Sequence, residues 1–218
     1  MRFTRVPSRE QSLKDDPLRD HHVWWLDVTK RDAEKLQSQL DSASSERDMQ
    51  QYIEQHPTVL IHHLCGGHGR YVIPQKRLGA EYVTDFIIGH AHSGGFEWQA
   101  VEIESPKKKM FTKGGNPTKE LTQAIRQIQD WRAWLSRNQN YAARPIAESG
   151  LGLTDIVASI PGLIIIGRRS NYDELNNDRR RQMANDLNIQ FHSFDFLVDH
   201  CFGYAEAYEK LRRTWKAN

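Results

Sequence analysis

Val101-Glu102-Ile103-Glu104-Ser105-Pro106, together with the earlier run Asp85-Phe86-Ile87-Ile88, decides how this chain folds and what it does. Carboxylates seldom stand on apolar strands without partners, because burying an unpaired charge is costly. The strand period of two puts Glu102 and Glu104 on one face and Ile103 on the other. If the two runs pair as a hairpin, Asp85 reaches the same face. Hard divalent cations such as Mg²⁺ prefer oxygen ligands. Three convergent carboxylates on a sheet therefore indicate a metal-dependent phosphodiester hydrolase.

Length and composition limit the class of protein. A chain of 218 residues suits one large domain, or a domain with an extension. The net charge of +2 is too small to indicate nucleic-acid binding by itself, so DNA contacts must come from local patches. The only cysteines, Cys65 and Cys201, form no disulfide framework, which favours a reducing compartment. The chain starts without a signal-peptide pattern and has no apolar run of membrane-spanning length. We therefore expect a soluble, cytoplasmic protein without a membrane partner.

The first half of the chain reads as helices followed by antiparallel strands. Helical spacing predicts a helix from Thr29 to about Ser42. Ser45 and Asp48 form a capping pattern for a second helix that must stop near His56, because Pro57 follows. Three β-rich runs come next, with a glycine turn before the last of them: Tyr71–Pro74, Tyr82–Ile88 and Phe96–Ile103.

The second half reads as alternating helices and strands. Asn116-Pro117 is predicted to supply the N-cap and first residue of a long helix with an apolar stripe that includes Leu121, Ile128 and Trp131. Leu163–Ile166 is a wholly apolar strand, as expected for a strand covered on both faces. A helix, a strand and a closing helix follow, at 172–187, 189–191 and from about 197 onward. This order predicts an α/β (mixed α+β) fold whose central mixed sheet is extended by parallel strands and flanked by helices.

With these elements in order, the chain resembles the nuclease domain of the Shedu (SduA-type) anti-phage defence proteins, a branch of the PD-(D/E)xK restriction-endonuclease-like superfamily. The resemblance covers roughly residues 45–200 and rests on four segments in sequence: 45–57, 84–88, 101–114 and 120–131. It implies a nuclease-like domain over 45–218, preceded by an extension with a short helix over 1–44. It also implies a restriction-endonuclease-like core, DNA as partner, Mg²⁺ (or Mn²⁺) as cofactor, and assembly into a homo-oligomer, a dimer or tetramer.

The resemblance assigns roles to individual residues. Asp85 and Glu102 match the superfamily's metal ligands, and Glu104 stands where the motif has lysine. Glu104 then ligates a second metal or accepts the proton of the attacking water. Lys107 or Lys108 is expected to supply the missing positive charge.

Further residues extend the expected site. Glu46, in the first helix of the domain, is the best match for an additional acidic ligand. Gln123 is expected near the scissile phosphate, and Gln127 lies four residues later on the same helix face. The lysines of the loop after the acidic motif are expected to contact the DNA backbone: Lys107, Lys108, Lys109 and Lys113.

Each assignment has a plainer alternative. The three carboxylates can be solvated charges on an open sheet face, Glu46 can simply favour its helix dipole, and a lysine run is usually a solvated loop. The alternative function is a catalytically silent DNA-end-binding sensor or interaction module. A weaker alternative is a zinc-dependent nuclease using the cluster His62, His63, Cys65 and His68. His90 and His92 alternate at a strand end before a turn, where a plain loop role is expected rather than catalysis. The closing helix is expected to be either core or a contact surface.

Overall fold

A mixed five-stranded sheet forms the centre of the computed structural model, which describes residue 13 and residues 16–24, 28–64, 68–172 and 174–216. The first three strands in the sheet pair antiparallel and the last two extend it in parallel. In spatial order they are β1 (Gly69–Pro74), β4 (Phe86–His92), β5 (Gly95–Ile103), β6 (Gly162–Ile165) and β7 (Ile189–His192). A separate small hairpin consists of β2 (Arg77–Leu78) and β3 (Tyr82–Val83).

Five α-helices accompany the sheet within the described residues: α1 (Lys30–Ser42), α2 (Glu46–Gln55), α3 (Lys119–Ala143), α4 (Glu174–Leu187) and α5 (Phe194–Lys216). Helix α2 begins with the predicted capping box, because the Ser45 side chain accepts the Asp48 N–H and the Asp48 carboxylate accepts the Ser45 N–H. The helix ends where predicted, before a short 3-10 turn that starts at Pro57. The same reciprocal cap, made by Thr29 and Asp32, begins α1.

Apolar layers cover both faces of the sheet. Val101 and Ile103 of β5 point into one layer, with residues of α1, α2 and α5. Ala100 points into the other layer, with Ile128 and Trp131 of α3. This alternation confirms the strand prediction, and it places Glu102 and Glu104 on the α3 side of the sheet, in step with Ala100.

The fold class predicted from the sequence, a mixed sheet flanked by helices, is confirmed. All four residues of β6 are buried, as expected for a strand covered on both faces. The predicted parallel extension is also confirmed, because β5, β6 and β7 run parallel.

Two boundary predictions are wrong. The run Tyr82–Ile88 is not one strand, because β3 belongs to the small hairpin and the sheet is entered only at Phe86. Asp85 lies in the bend between them. The long helix begins at Lys119 rather than at Pro117, because the Thr118 side chain accepts the Leu121 N–H and serves as the N-cap.

The chain before α2 contributes to the same core. Residues of α1, including Leu36 and Leu40, are buried with residues of α5. His22 makes an isolated antiparallel bridge to Tyr71, whereas Trp25 and Leu26, which follow it, lie outside the described residues. On α5, Cys201 is buried and Tyr204 packs partly against the core, so this side of the helix is core. Among the described helices, none is long and apolar enough to span a membrane.

Candidate metal centre

Asp85 is held at the entrance to β4 by backbone bonds on both sides of the bend. Its carbonyl accepts the Gln75 N–H at 2.9 Å, and the Thr84 N–H donates to the Lys76 carbonyl at 3.0 Å. The next residue, Phe86, pairs with Val101, so Asp85 comes level with Glu102. Asp85 Oδ2 accepts the Ile103 N–H at 2.9 Å. The hairpin therefore brings Asp85 to the acidic strand, as the sequence predicted.

The carboxylates of this site are buried together. Glu102 is 4% exposed and Glu104 9%. Burial, together with the charges of Asp85 and Glu104, raises the pKa of Glu102 to about 10. The pKa of Asp85 rises to about 6, also mainly because of burial, although the Ile103 N–H opposes the shift. All of these shifts favour the neutral acid, because burial and the neighbouring carboxylates both oppose ionisation.

Glu104 is the third member of the cluster. Burial and the nearby charge of Glu46 raise its pKa to about 7. Its backbone N–H donates to the Ile165 carbonyl at 2.8 Å, which continues the parallel pairing of β5 with β6 beyond Ile103. The side chain is thus carried by a continuous strand rather than by a loop.

Glu46 borders this cluster from the first turn of α2. Burial raises its pKa, and its charge raises the pKa values of Asp85, Glu102 and Glu104. Glu46 thus lies close enough to affect the ionisation of the other three carboxylates that the sequence predicts as ligands.

The oxygen atoms of the site suit a hard divalent cation. Glu102 Oε2 is buried without a hydrogen-bond partner, although buried polar atoms are nearly always paired. A cation would satisfy this atom and offset the desolvation of its neighbours. The side chains of Asp85, Glu102 and Glu104 do not place ligand atoms within 4.8 Å of one another as a group of three. An ion that joins all three would therefore draw the side chains together.

The basic loop begins directly after the acidic strand. Lys108 Nζ lies 2.6 Å from Glu120 Oε1, so this ion pair joins the loop to the start of α3. Lys107, Lys109 and Lys113 are exposed. The loop is anchored at α3, where the Thr118 hydroxyl donates to the Lys109 carbonyl at 2.7 Å. Sequence reasoning missed the role of Glu120, because a contact between residues 12 positions apart follows no helical or strand period.

The two glutamines lie further along α3. Gln123 is exposed and Gln127 is half-buried. Both line a shallow surface groove of about 570 Å³ with Lys119 and Arg126. Within the described residues, neither glutamine is a hydrogen-bond partner of Asp85, Glu102 or Glu104, so their expected role requires a substrate that spans the groove and the acidic cluster.

The proposed histidine–cysteine zinc cluster does not come together in the described part of the chain. His62 is buried and stacks on Tyr204, and burial lowers its pKa to about 4. His63 Nε2 lies 2.9 Å from Gln99 Oε1. Neither histidine belongs to a described group of three metal-compatible ligands, and Cys65 lies outside the described residues.

The described part of the chain thus has a mixed α/β core, in which an antiparallel hairpin joins parallel strands beside a buried Asp–Glu–Glu cluster. More specifically, the chain belongs to the family described as Shedu protein SduA, C-terminal, whose model matches residues 43–198. This match agrees with the resemblance seen in the sequence.

Two solved structures are similar to the chain at low identity. The restriction endonuclease FokI bound to DNA is 14% identical with a TM-score of 0.46, over 96% of this chain and 33% of that one. SfsA of Pyrococcus furiosus in complex with Ca²⁺ is 13% identical with a TM-score of 0.29, over 67% of this chain and 54% of that one. The chain thus spans about a third and about half the length of these proteins. A comparison with curated proteins finds no match.

Proposed function

We propose that the protein is a Mg²⁺-dependent deoxyribonuclease that nicks or cuts DNA in bacterial defence against phage. Membership of the Shedu family and the restriction-endonuclease-like fold suggest a nuclease in defence. The observation that carries the finer proposal is the buried acidic cluster, in which Glu102 Oε2 has no hydrogen-bond partner. A pure phosphate-binding surface gains nothing from clustered negative charge, whereas a metal site requires it.

Asp85 and Glu102 are the proposed principal ligands, with the Ile103 carbonyl and Glu46 as further oxygen donors. The Ile103 N–H donates to Asp85 Oδ2 and so orients that carboxylate beside Glu102. A bound divalent cation supplies a Lewis acid for the phosphate oxygens in phosphodiester hydrolysis. Mn²⁺ is expected to substitute for Mg²⁺, because it accepts the same oxygen ligands.

Glu104 is the proposed proton acceptor for the attacking water. A general base works best when its pKa lies near the operating pH, and burial raises the pKa of Glu104 to about 7. A cation held beside it would favour the ionised carboxylate, the form that accepts a proton. In this proposal an acidic residue at the lysine position of the motif retains a chemical role.

The lysines of the loop are proposed to hold the DNA backbone. Lys107, Lys109 and Lys113 are exposed beside the cluster, where each can neutralise a phosphate. Lys108 is proposed to reach the reacting phosphate once Glu120 releases it, with Gln123 near the scissile phosphate and Gln127 contacting the DNA further along α3. Assembly into a dimer or tetramer, a cytoplasmic location and the domain boundary at residue 45 are further proposals from the family resemblance.

One observation favours a second candidate, a catalytically silent module that binds DNA ends. Glu104 replaces the motif lysine, and the nearest lysine of the loop, Lys108, is paired with Glu120. A site without a free ammonium group beside the metal would bind DNA without cutting it.

Cleavage of supercoiled plasmid and of linear DNA with Mg²⁺ or Mn²⁺ tests both candidates. We expect cutting by the wild type and a loss of at least about 100-fold in Glu102→Gln, which removes a ligand charge at nearly constant shape. The matched control is Glu148→Gln, an exposed carboxylate in a surface turn, which should cut like the wild type. DNA retention without cutting under either metal would refute the nuclease and support the silent module.

A further inference from the structure

We propose that His90, His92 and Glu97 form a binding site for one divalent transition-metal ion of the zinc type, at the tip of the β4–β5 hairpin. They are a described group of three metal-compatible side chains whose ligand atoms all lie within 4.8 Å of one another. The site is separate from the acidic cluster, since His90 lies five positions after Asp85 along the strand, or about 17 Å. The inference does not depend on the proposed nuclease function.

The strand register assembles the three ligands. His90 pairs directly with Glu97 across the antiparallel hairpin, and His92 follows His90 by two residues, hence on the same face. His90 Nε2 lies 3.4 Å from Glu97 Oε2, and His92 Nε2 lies 3.1 Å from Glu97 Oε1. Ligand atoms at the corners of a tetrahedral zinc site are about 3.4 Å apart, given bonds of about 2.1 Å. The two histidine–glutamate distances are therefore close to the zinc value, with each histidine facing a different oxygen of the Glu97 carboxylate.

The chemistry of the ligands selects the metal. Two imidazoles and one carboxylate are a ligand set used by zinc, whereas Mg²⁺ prefers oxygen ligands only. Metal binding requires neutral imidazole, and burial lowers the pKa of His90, assisted by the charges of His92 and Arg70. Glu97 opposes this shift. The nearby Arg70, which pairs with His90 from β1, limits the affinity because it is cationic.

The remaining coordination position has room for a water molecule or a small ligand. His90 and Glu97 line a cavity of about 450 Å³, together with His63, Gln99 and Gln190. A site with three protein ligands and an open fourth position resembles the sites in which zinc exchanges ligands rather than closed structural sites.

Metal binding would break one hydrogen bond, that from the Gly94 N–H to His92, and this loss can be measured. His92 Nδ1 accepts the Gly94 N–H at 2.9 Å, so the neutral ring carries its proton on Nε2, the atom that faces Glu97. Coordination through Nε2 moves this proton to Nδ1, and Gly94 N–H then loses its acceptor. The Gly94 amide resonance should therefore shift when the metal binds.

Titration with Co²⁺, followed by visible absorption, tests the site in the full chain with excess Mg²⁺ present. We expect one Co²⁺ per chain, displaced by Zn²⁺. His90→Ala, His92→Ala and Glu97→Gln should each weaken binding at least about 10-fold, since even lost second-shell contacts cost about that much. His56→Ala, which removes an exposed histidine on the C-terminal side of α2, is the matched control.

Asp85→Asn separates the two sites, because it should leave Co²⁺ binding unchanged whatever it does to DNA cleavage. Equal binding by the wild type and the three site variants, loss of binding in Asp85→Asn, or an unmoved Gly94 resonance on binding would overturn the proposal. In those cases His90 and His92 only contact Glu97 across the hairpin, without binding a metal.

Discussion

Replacing Asp85 by Asn should stabilise the metal-free protein while abolishing its stabilisation by Mg²⁺. Burial raises the pKa of Asp85 from its ordinary value of 3.8 to about 6, so ionisation of this side chain opposes folding. Below pH 3.8 the group is protonated in both folded and unfolded states. Between 3.8 and 6 only the unfolded state ionises, and above 6 the full cost is present.

At 1.36 kcal/mol for each unit of pKa difference, this cost is about 3 kcal/mol at pH 8 and about 1 kcal/mol at pH 4.5. Asn removes the charge, and its side-chain oxygen still accepts the Ile103 N–H. In EDTA the variant should therefore unfold roughly 6–12 °C above the wild type at pH 8, but only about 2–4 °C above it at pH 4.5.

Thermal unfolding with and without Mg²⁺ measures both effects. Mg²⁺ should raise the melting temperature of the wild type, because it binds the folded state, and should leave the Asn variant unchanged. Glu148→Gln, at an exposed position, should behave as the wild type throughout. An Asn variant that is no more stable than the wild type at pH 8 in EDTA would refute the argument that Asp85 is buried without a compensating cation.

Three other substitutions follow from the structure. Arg132→Ala should lower the free energy of unfolding in urea by about 2–4 kcal/mol, because this guanidinium donates to three backbone carbonyls near β6 and β7. The control is Arg126→Ala, at an exposed arginine of the same helix, which should change the free energy of unfolding by less than about 0.5 kcal/mol. Glu104→Lys should raise the melting temperature in EDTA, because an ammonium group at this position would pair with the buried carboxylates. An unchanged or lower melting temperature would contradict the inference that these carboxylates oppose each other's ionisation. Lys107→Ala and Lys109→Ala should each weaken DNA retention and reduce the slope of log affinity against log salt by about 0.9, and an unchanged slope would exclude that lysine from phosphate contact.

Much of the fold could be predicted because local patterns determine it. The capping pair Ser45 and Asp48, the apolar stripe of α3 and the wholly apolar β6 each depend on residues close in sequence. The start of α3 was harder to predict, because Asn116-Pro117 and Thr118 offer competing caps. The hydrogen bonds from Thr118 to the carbonyls of Lys109 and Met110 favour Thr118 as the cap.

The residues of the candidate site were found from the sequence, but their environment was not. Alternation along β5 predicted that Glu102 and Glu104 share a face, and the structure places Asp85 beside them. The pKa shifts of the cluster depend on the charge of Glu46 as well as on burial, and no spacing rule connects Glu46 to the strand. Sequence patterns predict only a loop role for His90 and His92, because the cross-strand partner of His90 is known only once the register is known.

The charge of the cluster also implies an order of binding. Without a cation, raised pKa values leave Glu102 protonated and Glu104 partly ionised at neutral pH, yet Asp85 and any further ionised carboxylate still repel a phosphate. The loop lysines draw DNA towards the site by charge, but a phosphate can approach the carboxylates closely only after a cation has reversed the local potential. Mg²⁺ should therefore tighten DNA binding by the wild type more than by Asp85→Asn. If binding were equally tight with and without the cation, the DNA would be held by the loop alone and its phosphates would not reach the acidic cluster.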